Sequence, residues 1–506
     1  MGKLFKKILI ANRGEIALRV IRTCREMDIV PVTVYSEADK KALHVILAEE
    51  AYYIGEAKPS ESYLNIEKII EVAKKSKVQA LHPGYGFLAE NSELVKKCEQ
   101  EGIVFIGPPS EPMEIMGNKT ASRRRMNEAG VQIIPGTLES IKNEKDLVEQ
   151  AKKIGFPVLL KASAGGGGKG LRLVRKEKDL LSSYRLAQSE AKSSFDNPSV
   201  YIERYIEEPH HIEIQLLADN FGNIVYLGER ECSIQRRYQK VLEETPSPFL
   251  DDETRREMGR VAVKVAAAVK YRNAGTVEFV VDKKKNFYYL EMNTRLQVEH
   301  PITEMVTGID LVKSQIEIAA GLPLSIKQEE IQPKGFALEC RIYAEDPDNN
   351  FTPSPGKIVH LRTPSGGLGI RDDNGVYEGY VVPLEYDPLL SKLVAWGRTR
   401  EEAIHRMLRA LSEYQIYGIK TTIPFFKRIL LHPKFLAGNY NTHFISNLEK
   451  EVDGQEPEER VVALIAAGVK SYIEKKTGVT SPNKRIKKKE SNWRFQGRLD
   501  NFSNRL

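Results

Sequence analysis

Along the first 110 residues, short apolar runs of strand length are separated by stretches with helical spacing. The runs KILIAN, VPVTVYS, AYYIG, VQALHPGYG and IVFIGPP alternate with EIALRVIRTCREM and LNIEKIIEVAKKS, where apolar residues recur with a helical period. Strand and helix in strict alternation predict a doubly wound parallel sheet, because a parallel crossover needs a helix-length connection. Pro108 and Pro109 then punctuate, and a helical stretch around KTASRRRMNEAG leads into FPVLLKAS, LRLVR, SVYIERYI, HIEIQLLAD and NIVYLGERE. These read as hairpin-connected strands of an α+β region. Helical TRREMGRVAVKVAAAVKY separates them from GTVEFVVD and NFYYLEMNTR.

From Gly335 a further strand-rich part runs to about Leu448, and beyond Glu449 the composition shifts. EERVVALIAAGVKSYIEKKTG predicts one helix and SPNKRIKKKESNWRFQGR a basic tail. The pattern gives an N-terminal α/β domain over 1–115 and a middle domain over 116–330, with a lid subdomain at about 135–205. A mixed β-rich domain follows over 331–448, then the helix and tail over 449–506. At 506 residues the chain is too long for a single core.

Hydrophobic residues at 41% and charged residues at 29% give a water-soluble balance, and no apolar run is long enough to span a membrane. The N-terminal MGKLFKKILIANRG lacks the apolar core and cleavage site of a signal peptide, so a cytoplasmic location is expected. Cys24, Cys98, Cys232 and Cys340 form no CxxC pair, against a zinc site or a disulfide framework. Of the net charge of +7, much sits in eight Lys or Arg between Lys484 and Arg505, which argues against a nucleic-acid-binding body.

In KASAGGGGKGLRLV, Gly165 to Gly168 leave backbone amides open to an anion. A P-loop needs Lys followed by Ser or Thr, whereas Lys169 is followed by Gly170 and alternating LRLV, so the run reads as a hairpin lid over phosphates. A glycine run alone is better read as a flexible linker. Lys161, at the end of the preceding strand, and Lys119 in MGNKT add point charges suited to phosphate.

GTVEFVVDKKKNFYYLEMNTRLQVEH, folded as a hairpin with a two-residue turn at Lys284 and Lys285, sets Glu278 opposite Glu291. Facing carboxylates repel unless a cation lies between them. Strand alternation puts Glu291, Asn293 and Arg295 on one face, beside Gln297 and Glu299. Hard oxygens of this kind suit Mg²⁺ or Mn²⁺ with ATP phosphates completing the shell.

These residues resemble the ATP-grasp ligases and, among them, the biotin carboxylases. The resemblance covers residues 4 to 448 through ANRGEIALRV, HPGYGFLAEN, MGNK, KASAGGGGKG, HIEIQ, ERECSIQRRYQK, EMNTRLQVEHP, ECRIYAEDP and PSPGKI, in that order. It implies that Lys119, Lys161, Gly167, Gly168, Glu203, Arg204, Tyr205, Ile206 and His211 hold ATP. Glu278, Glu291 and Asn293 are implied as ligands of two Mg²⁺ or Mn²⁺ ions. Lys240, Arg295, Gln297 and Val298 are implied to form a bicarbonate pocket, with Glu299 as the base. Arg341 is implied to stabilise the biotin enolate. Two positions depart from the pattern: Tyr238 stands where bacterial members carry a histidine near the phosphates, and Ala164 replaces a lid glycine.

The activity so implied is phosphorylation of bicarbonate by ATP to carboxyphosphate, its breakdown to CO₂ and phosphate, and attack on CO₂ by biotin. A biotin carrier of this family has a lysine flanked by methionines at a hairpin tip, and the sequence contains no Met-Lys dipeptide. Biotin is therefore expected on a separate carrier or carboxyltransferase subunit, with a homodimer possible, as among relatives. The extension after 448 looks like that of the biotin carboxylase subunit in two-subunit pyruvate carboxylases, with its counterpart in acetyl-CoA carboxylase as rival. Another ATP-grasp ligase would not need QVEH or ECRIYAEDP, and a non-catalytic scaffold would not need facing carboxylates.

Overall fold

The computed structural model describes residues 4–163, 171–364 and 366–453. The lid glycines Gly167 and Gly168, and the helix and basic tail expected beyond Gly454, lie outside the described residues. Residues up to Ile445 form one compact unit, and those from Ser446 onward belong to another. The functional geometry below lies within the first.

The N-terminal strands β1 (Lys7–Ile10), β2 (Val30–Ser36), β3 (Glu50–Gly55), β4 (Ala80–His82) and β5 (Val104–Phe105) form an all-parallel sheet in the order β3-β2-β1-β4-β5. β1 and β4 are neighbours at which the winding reverses, the place where open α/β sheets present groups beyond their carboxyl ends. There Asn12 Nδ2 donates to the carbonyls of Pro83 and Tyr85, both at 2.7 Å, tying the two loops together.

The segment expected to carry the lid is a separate antiparallel sheet: β6 (Val158–Ala162) lies between β7 (Leu171–Val174) and β8 (Val200–Arg204). Lys161 pairs with Leu171 across the hairpin. The strands β9 (His210–Ala218), β10 (Ile224–Arg236), β11 (Gln239–Thr245), β12 (Asn273–Val281), β13 (Phe287–Asn293) and β14 (Phe336–Tyr343) join Leu389–Gly397 and Ile370–Asn374 in one eight-stranded sheet. Its order is β13-β12-β9-β10-β11-β14, then Leu389–Gly397 and Ile370–Asn374. The division expected at 330/331 thus falls inside a continuous sheet, because β14 pairs with β11 from Leu242↔Cys340 to Thr245↔Ala337.

Alternation assigns the two faces. On β9 and β12, Ile212, Ile214, Leu216, Val277, Phe279 and Val281 join one core with Met258, Ala262, Val265 and Ala266 of the helix Asp252–Ala268. The intervening His211, Glu213, Gln215, Thr276 and Glu278 point the other way. Phe279 is fully buried immediately beside Glu278. Phe279→Ala is expected to cost about 3–5 kcal/mol, read as a lower denaturation midpoint. Among the described residues, no helix is long and apolar enough to cross a membrane.

Candidate active site

Glu278 does face Glu291, but by a different route from the two-residue turn expected. Val281 pairs with Phe287 and Asp282 N donates to Asn286 O, so the loop is Lys283–Lys285, with Lys285 in the left-handed region at φ 66°. That loop shifts the register by one. A bulge between Glu278 and Phe279 shifts it back and restores the carboxylate pair.

A charge that offsets Glu278 comes from β11. Lys240 Nζ donates to Glu278 Oε1 at 2.8 Å, to Glu299 Oε1 at 2.8 Å and to Glu213 Oε2 at 2.5 Å. Glu213 lies directly opposite Glu278 in the β9–β12 register and also pairs with fully buried Arg230. Arg230 reaches Gln215 Oε1 at 2.7 Å, Thr303 Oγ1 at 3.0 Å and Thr276 Oγ1 at 3.1 Å, which fixes its plane. His211 receives a hydrogen bond on Nδ1 from Gln235 at 2.6 Å, leaving its proton on Nε2, donated to Glu278 Oε2 at 2.7 Å.

The segment after β13 closes the site. Arg295 donates to Glu90 Oε2 at 2.9 Å, Asn293 Oδ1 at 2.9 Å and Gln297 Oε1 at 2.7 Å. Asn293 Nδ2 and Gln297 Nε2 donate to Glu278 Oε1 at 2.8 and 3.1 Å. Arg341 joins Glu299 Oε2 at 3.0 Å to Glu243 Oε1 at 2.7 Å. The Val298 carbonyl accepts from Lys392 Nζ at 3.0 Å.

Burial works against every charge here, and partners decide the outcome. Burial alone would lift Glu299, but Lys240 and Arg341 hold it well below the carboxylate range. Glu278 is likewise held low against burial by Lys240 and His211. Burial would lower Lys240, yet Glu213, Glu278 and Glu299 hold it well above its ordinary value. Glu291 is pushed up, by burial first and then by the charge of Glu278.

For Glu278 and Glu299 the folded values lie below the ordinary 4.5, so their stabilisation is present above that pH and lost as pH falls through the folded values. These two groups are expected to add no slope to the stability profile from about pH 8 to 5. The denaturation midpoint of Glu299→Gln should fall less steeply in acid than that of the unaltered protein.

The structure thus brings Lys240, Glu278, Asn293, Arg295, Gln297, Val298, Glu299, Arg341 and His211 into one connected group. A second group sits on the small antiparallel sheet, where Lys161 pairs with Glu203 and Arg123 Nη1 reaches Glu203 Oε2 at 3.3 Å. Lys119, at the start of the helix Lys119–Glu128, feels Glu291, Lys161, Glu203 and Glu278, with burial lowering its affinity for a proton. Arg204 is exposed and Ile206 half-buried at the end of β8, and Tyr205 Oη meets His443 Nε2 at 3.0 Å. Tyr238 stands apart, 64% exposed at the tip of the β10–β11 hairpin with φ 66°.

Glu90, Glu213, Arg230 and Glu243 were absent from the sequence-derived site. Glu213 carried a signal, since HIEIQ places it in alternation with His211 and Gln215.

Known proteins resemble this chain in sequence and in fold. Residues 4–113 match the family described as Biotin carboxylase, N-terminal domain, and residues 339–447 the Biotin carboxylase C-terminal domain. Residues 118–327 match Carbamoyl-phosphate synthase L chain, ATP binding domain. Biotin carboxylase 1 of Bacillus subtilis is 54% identical over 447 residues, 88% of this chain and 99% of its own length. A pyruvate carboxylase subunit of Methanothermobacter thermautotrophicus is 50% identical over 493 residues, 94% of this chain and all of its own. A solved structure superposes with a TM-score of 0.86 at 47% identity, covering 90% of this chain and 100% of that one. It is the biotin carboxylase domain dimer of Hydrogenobacter thermophilus 2-oxoglutarate carboxylase, in complex with MgADP, ADP and bicarbonate.

Proposed function

Because the chain belongs to the biotin carboxylase family of the ATP-grasp superfamily, we propose that it is the biotin carboxylase subunit of a pyruvate carboxylase, acting on biotin carried by another polypeptide. The observation that carries the site reading is the single ammonium of Lys240 shared by Glu213, Glu278 and Glu299, beside the guanidinium groups of Arg295 and Arg341. What favours pyruvate carboxylase is correspondence over both chains. The Methanothermobacter protein aligns over its whole length and 94% of this chain, beyond the 88% spanned by Biotin carboxylase 1. A homodimer belongs to the same reading, since the Hydrogenobacter domain is a dimer.

In this reading ATP lies between Lys119, Lys161 with its partner Glu203, the Arg204–Ile206 segment, His211 and the lid that carries Gly167 and Gly168. Tyr238, exposed at the tip of the β10–β11 hairpin, stands outside this set. Glu278, Glu291 and Asn293 offer oxygens on neighbouring strands, and Glu291, pushed up by burial and by Glu278, is a carboxylate whose ionised form a cation would stabilise. The residues therefore fit Mg²⁺ or Mn²⁺. When bound, such ions supply positive charge to the phosphate oxygens.

Arg295, Lys240, Gln297 and the Val298 backbone position bicarbonate, and Glu299 takes its proton. Held low by Lys240 and Arg341, Glu299 is ionised and ready to accept. It gains basicity as these cations turn part of their donation toward the anionic substrates. The deprotonated oxygen attacks the γ-phosphorus, ADP leaves, and carboxyphosphate separates into CO₂ and phosphate. Phosphate removes the N1 proton of biotin, and the N1 nucleophile attacks CO₂ while Arg341 offsets the enolate charge.

The test is ADP release by the purified chain with Mg²⁺. Release that requires bicarbonate and rises with free biotin is expected; turnover indifferent to both contradicts the reading. With a biotinylated carboxyltransferase partner, carboxylation of pyruvate is expected, and carboxylation of acetyl-CoA instead would overturn the pyruvate assignment.

A further inference from the structure

Lys392, on the strand Leu389–Gly397, is fully buried and far in sequence from every residue assigned so far. A buried ammonium is costly unless acceptors surround it. One acceptor and two nearby carboxyl groups come from three parts of the chain. The Val298 carbonyl is at 3.0 Å, Glu15 Oε2 of the helix Gly14–Glu26 at 3.2 Å, and Asp373 Oδ2 of the neighbouring strand at 4.0 Å. The Tyr85 ring lies 5.5 Å from the ammonium. Asp373 is already held by Arg371 through both oxygens, at 3.0 and 2.7 Å, so Val298 and Glu15 are the main partners.

The register gives the arrangement its meaning. Lys392 pairs directly with Arg341, and residues opposite each other in an antiparallel ladder share a face. Arg341 takes the carboxylate of Glu299 while Lys392 takes the carbonyl of Val298, so adjacent cations grip consecutive residues. On the far side of the segment, His300 Nδ1 donates to the Gln297 carbonyl at 2.7 Å. Gln297 is thus held by His300, Val298 by Lys392 and Glu299 by Arg341.

The geometry points to Lys392 as a positioning residue of the bicarbonate pocket, fixing Gln297, Val298 and Glu299 through the Val298 carbonyl, with the Glu15 carboxyl 3.2 Å from its ammonium. This role rests on the pocket reading above. Lys392 touches no substrate in it; it sets where the Gln297 amide and the Glu299 carboxylate stand. Small displacements of positioned groups carry large kinetic penalties.

Lys392→Met leaves the buried Glu15 carboxyl without its nearest cation, so loss of fold there would mirror charge imbalance alone. Glu15→Gln/Lys392→Met removes one charge of each sign at similar volume and is the deciding variant. It is expected to keep the denaturation midpoint near that of the unaltered protein and the KM for ATP within about twofold, with the KM for bicarbonate raised about tenfold or more. An ordinary bicarbonate KM in the double variant overturns the role and leaves Lys392 a neutralising charge only. Equal weakening of ATP and bicarbonate also overturns it, as a general structural defect. If ADP release by the unaltered protein ignores bicarbonate, the pocket reading itself falls, which separates that failure from this one.

Discussion

Glu299→Gln is expected to lower turnover about 100- to 10,000-fold while leaving the KM for ATP within about threefold. Glu299 is fully buried, its two oxygens taken by Lys240 and Arg341, and Gln keeps the shape while removing the proton acceptor. Arg295→Ala should fall in the same class, with a loss of about 100- to 1,000-fold, because it removes a guanidinium anchored by Glu90, Asn293 and Gln297. Steady-state ADP release at varied ATP and bicarbonate checks both. A main defect in ATP affinity would assign these residues to the nucleotide instead.

The second large effect is on stability and activity together. Lys240→Met leaves Glu213, Glu278 and Glu299 buried without their shared cation, which is expected to destabilise the protein by about 3–5 kcal/mol and to abolish bicarbonate-dependent turnover. The pH dependence should change with it. In the unaltered protein, Lys240 helps to hold Glu278 and Glu299 below the ordinary 4.5, so their contribution is lost only in acid. Without Lys240, burial is opposed only by the remaining partners, Arg341 and Arg230 at Glu299 and His211 at Glu278, so both carboxyls shift upward and the stability gap to the unaltered protein widens as pH rises. The denaturation midpoint of the variant should therefore lie nearest that of the unaltered protein around pH 5 and fall furthest behind at pH 8 or so.

The parallel sheet and its helices were legible because period and punctuation are local signals: KILI, VPVTVYS and EIALRVIRTCRE became β1, β2 and the helix Gly14–Glu26. Glu278 opposite Glu291 was also legible, although a three-residue loop and a bulge replace the simple turn. Two one-residue shifts cancel, and neither leaves a mark that hydrophobic alternation reveals. That Lys240 of β11 also reaches Glu278 was not legible, because the contact depends on how strands pair across the sheet.

Pairings across the chain were not legible. Arg295 and Glu90 are 205 residues apart, and nothing near either one in sequence announces the other. The continuity of β11 with β14 is of the same kind. The pattern of elements marks a boundary near 330, but the ladder from Leu242↔Cys340 to Thr245↔Ala337 joins strands on either side of it. Glu213 and Arg230 stayed hidden because a buried acid and a buried base look like ordinary strand charges until the third strand covers them.

The most direct test is transfer of labelled carbon from bicarbonate to biotin by the purified chain with ATP and Mg²⁺. The account predicts ATP-dependent label on biotin, lost in Glu299→Gln and Arg295→Ala. Bicarbonate-stimulated ADP release with no label on biotin, under conditions where carboxybiotin survives, would contradict it.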